Sequence, residues 1–356
     1  MRDIAISLVL VGFAATGCVD DGVDEPEPTT EAIAHRRLEY RPIDITAGPP
    51  GLDGWSPVGV ADDGAVYGQG FDCDDDFIVC SFPLVKRARN GHFSILHPNF
   101  LINDIDDKGD VGGCTIDDPA TFFGRAAVVR SNGALRLFPA RPGEVTACVV
   151  KLADDRVAAV DSFDADFNRT TYVYDRGAIR PFTVAGASIQ DINDRAQVAG
   201  LTFADGAFRA FRFDAATGAT RVLQPVAGDP DSWGMAINKH GDVLGYSFIG
   251  GAIERIGRWN QAGQFRVSFV EGTEQYPTVS NRLAWNEDGL IVISDSDNDP
   301  NTYVVPAAGV RLNLADLVVG PGAEVPTSLV VPSVNDDGDM VGTSLDDGRS
   351  FLFLRR

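Results

Sequence analysis

The chain has 356 residues, of which 44% are hydrophobic and 23% are charged, and its formal net charge at pH 7 is −21. This hydrophobic fraction permits a large buried core, whereas so acidic a surface repels nucleic acid and argues against a role in binding it. The length alone is compatible with two ordinary domains or with one large domain, so the number of domains has to be inferred from the order of the predicted elements.

The N-terminus has the pattern of an export signal. Arg2 gives a short charged start, and the apolar run Ile4 to Ala15 is shorter than the about 20 residues of a membrane-spanning helix. The run leads into Thr16-Gly17-Cys18, which is similar to a bacterial lipobox. We therefore expect residues 1–17 to be a lipoprotein signal peptide and Cys18 to carry the lipid. Ordinary secretion stays open as the alternative, because Ala15 stands where that pattern prefers leucine.

Residues 18–37 are expected to form an acidic flexible tether. Acidic residues and prolines dominate this segment, which has too little apolar content to build a core. Val19, rather than aspartate, follows the cysteine, and this favours anchoring in the outer membrane over retention in the inner membrane. The tether would hold the rest of the chain away from that membrane, on its periplasmic or surface face.

The remainder of the chain, residues 38–356, repeats one unit. Its clearest copy has an apolar strand ending at Ile237, a tight turn over Asn238 to Gly241, and a second strand from Val243 to Ser247. Asn and Gly suit such a turn because both tolerate positive φ. Related turns centre on residues 64, 109, 155, 196, 241, 289 and 338, and the copy near 155 is degraded and lacks glycine.

Each copy is followed by a third and a fourth apolar strand, as in Ile253 to Trp259 and Gln264 to Val270. Four strands in a period of 41 to 49 residues predict an all-β fold, a β-propeller of seven four-stranded blades. Leu38 to Ile45 is a spare strand before the first unit, and the last unit ends after its third strand. We expect the spare strand to complete that blade and close the ring; six or eight blades are the alternatives.

The repeat resembles the extracellular HAF-repeat family of bacterial secreted propellers. That unit reads approximately Ala-x-x-Ile-Asn-x-x-Gly-x-Val-x-Gly-x-Ser followed by a His-Ala-Phe strand. Ala236 to Ser247 matches the first half, and Arg209-Ala210-Phe211 matches the second with arginine in place of histidine. The resemblance covers about residues 50–356 and implies a secreted, ligand-binding propeller. It carries no catalytic residues over to this chain.

Four cysteines remain once Cys18 is set aside, and an even number in an exported protein indicates two disulfides. Of the three pairings we favour Cys73 with Cys80 and Cys114 with Cys148. The second bond would join neighbouring blades where the repeat is weakest. No cysteine spacing fits a zinc or redox motif.

Acidic loops are the only sequence candidates for metal binding. Asp295, Asp297 and Asp299 alternate as calcium ligands do, but Pro300 replaces the glycine of an EF-hand loop. A calcium site and a solvated hairpin both remain open, and no other cofactor is expected. The sequence has no Gly-x-Ser-x-Gly elbow, His-Glu-x-x-His motif or phosphate loop, so it predicts no catalytic residue.

A ligand-binding face is expected where the fourth strand of each blade connects to the next blade. Three aromatic residues are expected in these connections, where they could stack on a sugar or anchor a partner side chain. Two charged residues are expected beside them. The five candidate residues are Trp55, Trp233, Tyr276, Glu274 and Arg282.

These observations favour a monomeric, membrane-tethered lipoprotein of the cell envelope whose propeller is a binding module for protein, peptide or glycan. A glycan-acting propeller enzyme and a structural scaffold in an envelope complex are the alternatives. Loss of turnover on Glu274→Gln would support the enzyme, whereas sugar binding on the aromatic face would separate the binding module from the scaffold.

Overall fold

A computed structural model of the protein describes residues 38–73, 80–117, 124–250, 253–271, 282–294, 301–320, 325–326 and 328–356. Within these ranges the chain forms seven antiparallel sheets, each with a path of four consecutively paired strands. The sheets follow one another as the blades of a ring, so the seven-bladed all-β propeller is confirmed.

The strands of blades 1 to 4 follow chain order from the inner strand outwards. Blade 1 comprises β2 (Gly54–Val60), β3 (Val66–Cys73), β5 (Leu84–Arg87) and β6 (Phe93–His97), with the short β4 (Cys80–Ser81) paired to β3. Blade 2 comprises β7 (Phe100–Ile105), β8 (Val111–Thr115), β9 (Ala126–Val129) and β10 (Leu135–Leu137). Blade 3 comprises β11 (Glu144–Asp154), β12 (Val157–Asp164), β13 (Arg169–Asp175) and β14 (Ala178–Pro181). Blade 4 comprises β15 (Ser188–Ile192), β16 (Gln197–Ala204), β17 (Ala207–Asp214) and β18 (Ala219–Leu223).

Blades 5 and 6 repeat this order. Blade 5 comprises β19 (Asp231–Ile237), β20 (Val243–Gly250), β21 (Ile253–Trp259) and β22 (Phe265–Glu271). Blade 6 comprises β23 (Arg282–Trp285), β24 (Ile291–Ser294), β25 (Thr302–Ala307) and β26 (Val310–Asn313), and the four-residue helix α1 (Leu314–Leu317) follows it. In α1, Asn313 is the N-cap and accepts a hydrogen bond from the Ala315 N–H at 2.9 Å.

Blade 7 closes the ring with strands from both ends of the chain. It contains β27 (Leu329–Val334), β28 (Met340–Ser344), β29 (Ser350–Arg355) and, as its outer strand, β1 (Tyr40–Asp44). β1 pairs antiparallel with β29, Tyr40 opposite Arg355 and Asp44 opposite Phe351. β2 of blade 1 in turn packs against β27 and β28. The predicted closure by the N-terminal strand is therefore confirmed.

The turn between the first and second strands of a blade forms because one side chain satisfies its backbone. In blade 5, Oδ1 of Asn238 accepts hydrogen bonds from the N–H groups of His240 and Asp242 at 3.0 and 2.9 Å. Gly241 closes the turn at φ 84°. In blade 4 the corresponding residue is Ala196, which takes φ 58° without glycine. The turn geometry is kept even where the sequence departs from the repeat.

Apolar side chains from the blades' strands fill the space between neighbouring blades. Val198, Phe211 and Phe213 of blade 4 pack with Val157 and Val173 of blade 3. Trp259 of blade 5 is fully buried against Leu223 and other residues of blade 4. Burial between blades therefore stabilises the ring, and no blade has an independent core.

Both predicted disulfides are confirmed. Cys73–Cys80 closes a short loop in blade 1, and Cys114–Cys148 joins β8 of blade 2 to β11 of blade 3. Disulfides persist in oxidising compartments, and this pair is the pattern of a protein exported from the cytoplasm. A search of the described residues for a helix long and apolar enough to cross a membrane finds none.

Candidate functional site

A cavity of about 620 Å³ lies on the axis of the ring and is lined by residues from all seven inner strands. It opens among the turns that link the first and second strands, and we call this side the turn face. The opposite side, where the inner strands begin, is the connection face. Eight carboxylate residues and five basic residues line the cavity, so the described lining carries an excess of negative charge.

A β-bulge shapes the wall of this cavity. In six blades the pairing of the first strand with the second shifts register shortly before the turn, and bulges commonly re-aim the following side chain. We call the residues at this level, with their counterpart in blade 6, the channel ring. In blade order they are Gly59, Asp104, Lys151, Asp191, Ala236, Ala284 and Ser333.

Three members of the channel ring hold the next blade by a hydrogen bond to its backbone. Asp104 accepts from the Leu152 N–H at 2.8 Å. Asp191 accepts from the Ile237 N–H at 2.7 Å, and the Ser333 hydroxyl oxygen accepts from the Val60 N–H at 3.2 Å. In each case the donor follows the channel-ring residue of the next blade. A serine hydroxyl and a carboxylate therefore perform the same structural task, and the task does not require a charge.

The charges of the channel ring are confined to blades 2, 3 and 4. Nζ of Lys151 lies 3.4 Å from Oδ1 of Asp104, and this carboxylate raises the pKa of the Lys151 ammonium. Asp191 forms no ion pair with any described residue. Burial raises the pKa of Asp191 to about 7, although the Lys151 ammonium opposes the change. The channel ring therefore contains one carboxylate in an ion pair and one without an ion pair.

Four acidic residues from consecutive blades lie one level above the channel ring; three of them line the cavity, and Asp194 of blade 4 lines it at the same level. We call these four the rim carboxylates: Asp62, Asp107, Glu287 and Asp336, from blades 1, 2, 6 and 7. Three of these side chains accept a backbone N–H of the preceding blade. The backbone N–H of Lys239 donates to the Glu287 carboxylate at 2.9 Å, and that of Glu287 donates to the Asp336 carboxylate at 2.9 Å. The backbone N–H of Asp336 donates to the Asp62 carboxylate at 3.0 Å. Backbone contacts between blades thus fix their orientation.

The rim carboxylates repel one another. Partial burial, and then the charges of Asp336, Asp62 and Glu287, raise the pKa of Asp107 to about 6. Burial also raises the pKa of Asp62, the Asp336 N–H that it accepts opposes this change, and the Asp336 carboxylate adds to it. Two of the cationic groups near the mouth of the cavity form ion pairs, since Lys239 lies 3.7 Å from Glu287 and Arg156 lies 3.7 Å from Asp154. The mouth retains a negative field on the side of blades 6, 7, 1 and 2.

Below the rim, the asparagine that begins the turn in blades 4, 6 and 7 links neighbouring blades through its side-chain amide. Nδ2 of Asn193 donates to the carbonyl of Asn238 at 2.8 Å, and Asn335 donates to Ala61 at 2.8 Å. Asp106 holds this position in blade 2. It is 6% exposed, and its Oδ2 has no hydrogen-bond partner among the described residues. Burial raises its pKa to about 7.

The structure corrects the predicted positions of two aromatic candidates. Trp55 and Trp233 were placed in the connections between blades, but they lie in the inner strands β2 and β19. Trp55 is 9% exposed, and its Nε1 donates to the Ile45 carbonyl at 2.9 Å, so its ring belongs to the core. The error arose because the inner strands extend further toward the connection face than the apolar alternation suggested. Both residues are nevertheless at the connection-face end of their strands.

Trp233 belongs to an aromatic cluster that sequence reasoning missed. Phe203 and Phe208 flank the hairpin between β16 and β17, are 60% and 41% exposed, and stand 5.3 Å apart. The ring centroids of Phe208 and Trp233 lie 6.0 Å apart, and those of Trp233 and Phe248 lie 5.0 Å apart. Aromatic residues on both sides of a two-residue Asp-Gly turn were the available signal. This cluster lies on the connection face, away from the axial cavity.

Several predicted site residues lie outside the described residues. These are Cys18, Glu274, Tyr276, Asp295, Asp297 and Asp299. Arg282 begins β23, but its side chain is likewise outside the description. Among described residues, no group of three or more His, Cys, Asp or Glu side chains is placed to hold a metal ion. The calcium loop and most of the predicted connection-face site therefore stay predictions.

The fold and its axial cavity define the chain as a seven-bladed β-propeller with a charged channel. No protein-family model matches the chain, and no curated protein matches it. It is similar to the β-propeller domain of the Trilobed protease from Pyrococcus furiosus, with 10% identity, a TM-score of 0.56, and coverage of 87% of this chain and 94% of that one.

Two further solved structures show the same likeness. The Pyrococcus horikoshii acylaminoacyl peptidase has 9% identity and a TM-score of 0.56, covering 90% of this chain but only 52% of that one. This chain thus spans about half the length of that peptidase. An oligogalacturonate lyase in complex with manganese has 13% identity and a TM-score of 0.51, covering 89% of this chain and 96% of that one. At such identities the likeness establishes the fold alone.

Proposed function

We propose that the protein is a lipid-anchored component of the bacterial cell envelope whose propeller binds a protein or peptide at the turn face. The observation that carries the proposal is the axial cavity of about 620 Å³ with its ring of charged residues. Concave sites with a few convergent polar groups are where proteins most often take ligands. The rim carboxylates extend this chemistry outward to where a partner surface would lie.

Export and anchoring are supported by separate features. Two disulfides fit a protein that folds in an oxidising compartment. The apolar run before Cys18 supports processing as a lipoprotein, and the resemblance to secreted HAF-repeat propellers points the same way. The acidic segment 18–37 would then separate the propeller from the membrane.

A protein or peptide suits the turn face better than a glycan. The lining of the cavity is mainly acidic, with basic residues among the carboxylates, and charged pairs across an interface favour partners of complementary charge. Glycans are more commonly held by exposed aromatic rings, and the exposed rings of Phe203 and Phe208 lie on the other face. A glycan would therefore be expected at the aromatic cluster.

Site-specific photocrosslinking in the native envelope tests the proposal. A photoreactive amino acid replaces Asp288, an exposed turn residue on the turn face, or Phe203 on the connection face. We expect a discrete protein adduct from position 288 and none of the same mass from position 203. Adducts from position 203 alone would contradict the turn-face assignment, and adducts from neither position would favour the scaffold alternative.

The anchor has its own test. Metabolic labelling with an alkyne fatty acid should tag the wild-type chain, and Cys18→Ser should abolish the tag and release the protein from membranes. Cys73→Ala with Cys80→Ala is the matched control, because it removes cysteines that form a disulfide and leaves Cys18 in place. A label that survives Cys18→Ser would place the lipid elsewhere and overturn the anchor assignment.

A further inference from the structure

The two halves of the channel ring differ in chemistry. Blades 2, 3 and 4 contribute Asp104, Lys151 and Asp191, whereas the four other blades contribute only glycine, alanine and serine at this level. Leu283 and Met235 extend the uncharged half deeper into the cavity. A molecule on the axis would therefore meet an uncharged wall on one side and charged groups on the other.

The carboxylate of Asp191 is not explained by its structural task. It accepts N–H groups from Ile192 at 2.8 Å and Ile237 at 2.7 Å. Ser333 holds its neighbouring blade in the corresponding way with a neutral hydroxyl. Lys151 forms an ion pair with Asp104 at 3.4 Å, whereas it acts on Asp191 only from a longer range and forms no ion pair with it. A half-buried, unpaired carboxylate is costly unless something compensates its charge.

Asp106 is a second, independent sign of uncompensated negative character in the same lining. Its side chain is almost fully buried beside the cavity, and Oδ2 lacks any hydrogen-bond partner in the described part of the chain. Together with the rim carboxylates above it, this places acidic groups at three successive levels along the axis. The overall charge of −21 would steer cations toward the same opening.

We propose that the channel receives a lysine or arginine side chain of a partner protein, whose charged head reaches Asp191 while its aliphatic stem packs against the uncharged half of the channel ring. This inference rests on the proposed turn-face binding and names the group that is recognised. A long side chain with an apolar stem and a cationic tip matches the asymmetry of the cavity. The rim carboxylates would then contact the surrounding basic surface of the partner.

The titration of Asp191 provides a signature of this contact. The groups that face it among the described elements are Lys151 of β11 and Asp104 of β7, while β19 presents the uncharged Ala236 and an N–H. Its pKa of about 7 means that a proton competes with the ligand cation. Affinity should therefore fall as the pH is lowered from 8 to 6, and this dependence should be much weaker in Asp191→Asn.

The test uses the full chain in detergent with three capped tripeptides as probes, containing lysine, norleucine or glutamate between glycines. Binding is followed by the tryptophan indole N–H signals of the ¹⁵N-labelled protein. Trp285 lines the cavity and serves as reporter, whereas the buried Trp259 monitors the fold. We expect the lysine peptide to shift the Trp285 signal, and the norleucine and glutamate peptides to leave it unchanged at the same concentration.

Two substitutions should change this affinity in opposite directions. Asp191→Asn removes the charge and keeps one oxygen for one of the two backbone N–H groups that the carboxylate accepts, so the unfolding of the variant is measured alongside. It should weaken binding of the lysine peptide roughly tenfold or more. Lys151→Met removes the competing ammonium and should strengthen binding several-fold. Asp347→Asn, an exposed residue paired with Arg349, makes the same charge change far from the channel and should have no effect. Damage to the fold would weaken both channel variants alike.

Two outcomes would overturn the inference. One is equal binding of the lysine and norleucine peptides; the other is no Trp285 shift with any peptide while crosslinks still form at position 288. In the second case turn-face binding survives and the cationic group is wrong. If no crosslinks form at position 288 but the Trp285 shift is still specific for the lysine peptide, the channel binds a cationic side chain and the proposed protein partner at the turn face is wrong.

Discussion

The interface between blades 7 and 1 and the interface between blades 2 and 3 are fastened by different chemistry. At the first, Nδ2 of Asn335 donates to the Ala61 carbonyl at 2.8 Å, and Ser333 accepts from Val60. At the second, Asp104 accepts from Leu152 in the way that Ser333 accepts from Val60, and Asn103 donates to the Val149 carbonyl at 2.7 Å. Asp106, however, replaces the asparagine of the turn and has no amide to donate, and Cys114–Cys148 joins the two blades covalently. The asparagine of the repeat is thus an inter-blade contact as well as a turn former, and between blades 2 and 3, where it is missing, a disulfide joins the blades.

Removing the covalent link is expected to have the largest effect. Cys114→Ala with Cys148→Ala opens a loop of sequence separation 34, and by loop-closure entropy it should lower the free energy of unfolding by about 4 kcal/mol. The matched pair Cys73→Ala with Cys80→Ala opens a separation of 7 and should cost about 2 kcal/mol. Equilibrium urea unfolding measures both. An equal or smaller loss for the inter-blade pair would contradict its role as the main fastener of blades 2 and 3.

Making the closing interface resemble the interface of blades 2 and 3 is expected to have the next largest effect. Asn335→Asp keeps the oxygen that accepts the Asp339 N–H but removes the donor to Ala61, so the contact between the blades is lost and the Ala61 carbonyl keeps only the Gly64 N–H. We expect a loss of about 2 kcal/mol in urea unfolding. Asn132→Asp is the control, because Asn132 serves only its own exposed turn by accepting from Ala134. Equal losses for the two variants would mean that the asparagine matters for the turn alone.

The same contrast explains what the sequence could predict. The ring and its closure by the predicted strand Leu38 to Ile45 followed from the spacing of the turns, because blade geometry repeats wherever Asn, Asp or Gly recurs. Both disulfides followed from the even number of cysteines and their places in the repeat. Even blade 4, with Ala196 instead of glycine, kept its place. Periodicity reports local geometry, and local geometry is what a propeller repeats.

The candidate site followed much less well from the sequence. Asp191 and Lys151 occupy positions that the repeat leaves variable, and only the bulge and the closed ring bring them onto one axis. Asp63 accepts the Ala65 N–H within its own turn. Its neighbour Asp62 instead accepts the Asp336 N–H of blade 7. Which of two adjacent aspartates faces the channel depends on tertiary packing that spacing does not encode.

Restoring the missing amide should stabilise the interface of blades 2 and 3. Asp106→Asn keeps an oxygen for Lys108 and Asp110 and supplies the donor found in the asparagine blades. We expect a gain of about 1 to 2 kcal/mol at pH 8. The folded-state pKa of Asp106 is raised to about 7, so its contribution favours the folded state at low pH and is lost as the pH rises from about 4 to 7. Urea unfolding at pH 5 and pH 8 should therefore show a smaller gain for the variant at pH 5.

A gain that is the same at both pH values would contradict the protonation of Asp106 in the folded state. A loss of stability at pH 8 would mean that no carbonyl of blade 3 is placed to accept the new amide, and that the disulfide alone replaces the asparagine contact. Either result would leave the asparagine contacts of the other interfaces unchanged, because Asn193 and Asn286 bind different carbonyls.

The smallest expected effect concerns the serine at the closing interface. Ser333→Ala leaves the Val60 N–H without its acceptor at 3.2 Å, and since the site borders the channel, water can replace part of the bond. We expect a loss of about 0.5 to 1 kcal/mol, measured by urea unfolding against Ser56→Ala, an exposed serine on the neighbouring β2. Ser333→Asp should recover most of this loss, because Asp104 and Asp191 hold the corresponding N–H groups of their neighbours. If Ser333→Asp were less stable than Ser333→Ala, a carboxylate at this level would be tolerated only on the side of Lys151, and the charge of Asp191 would have to be explained by that ammonium.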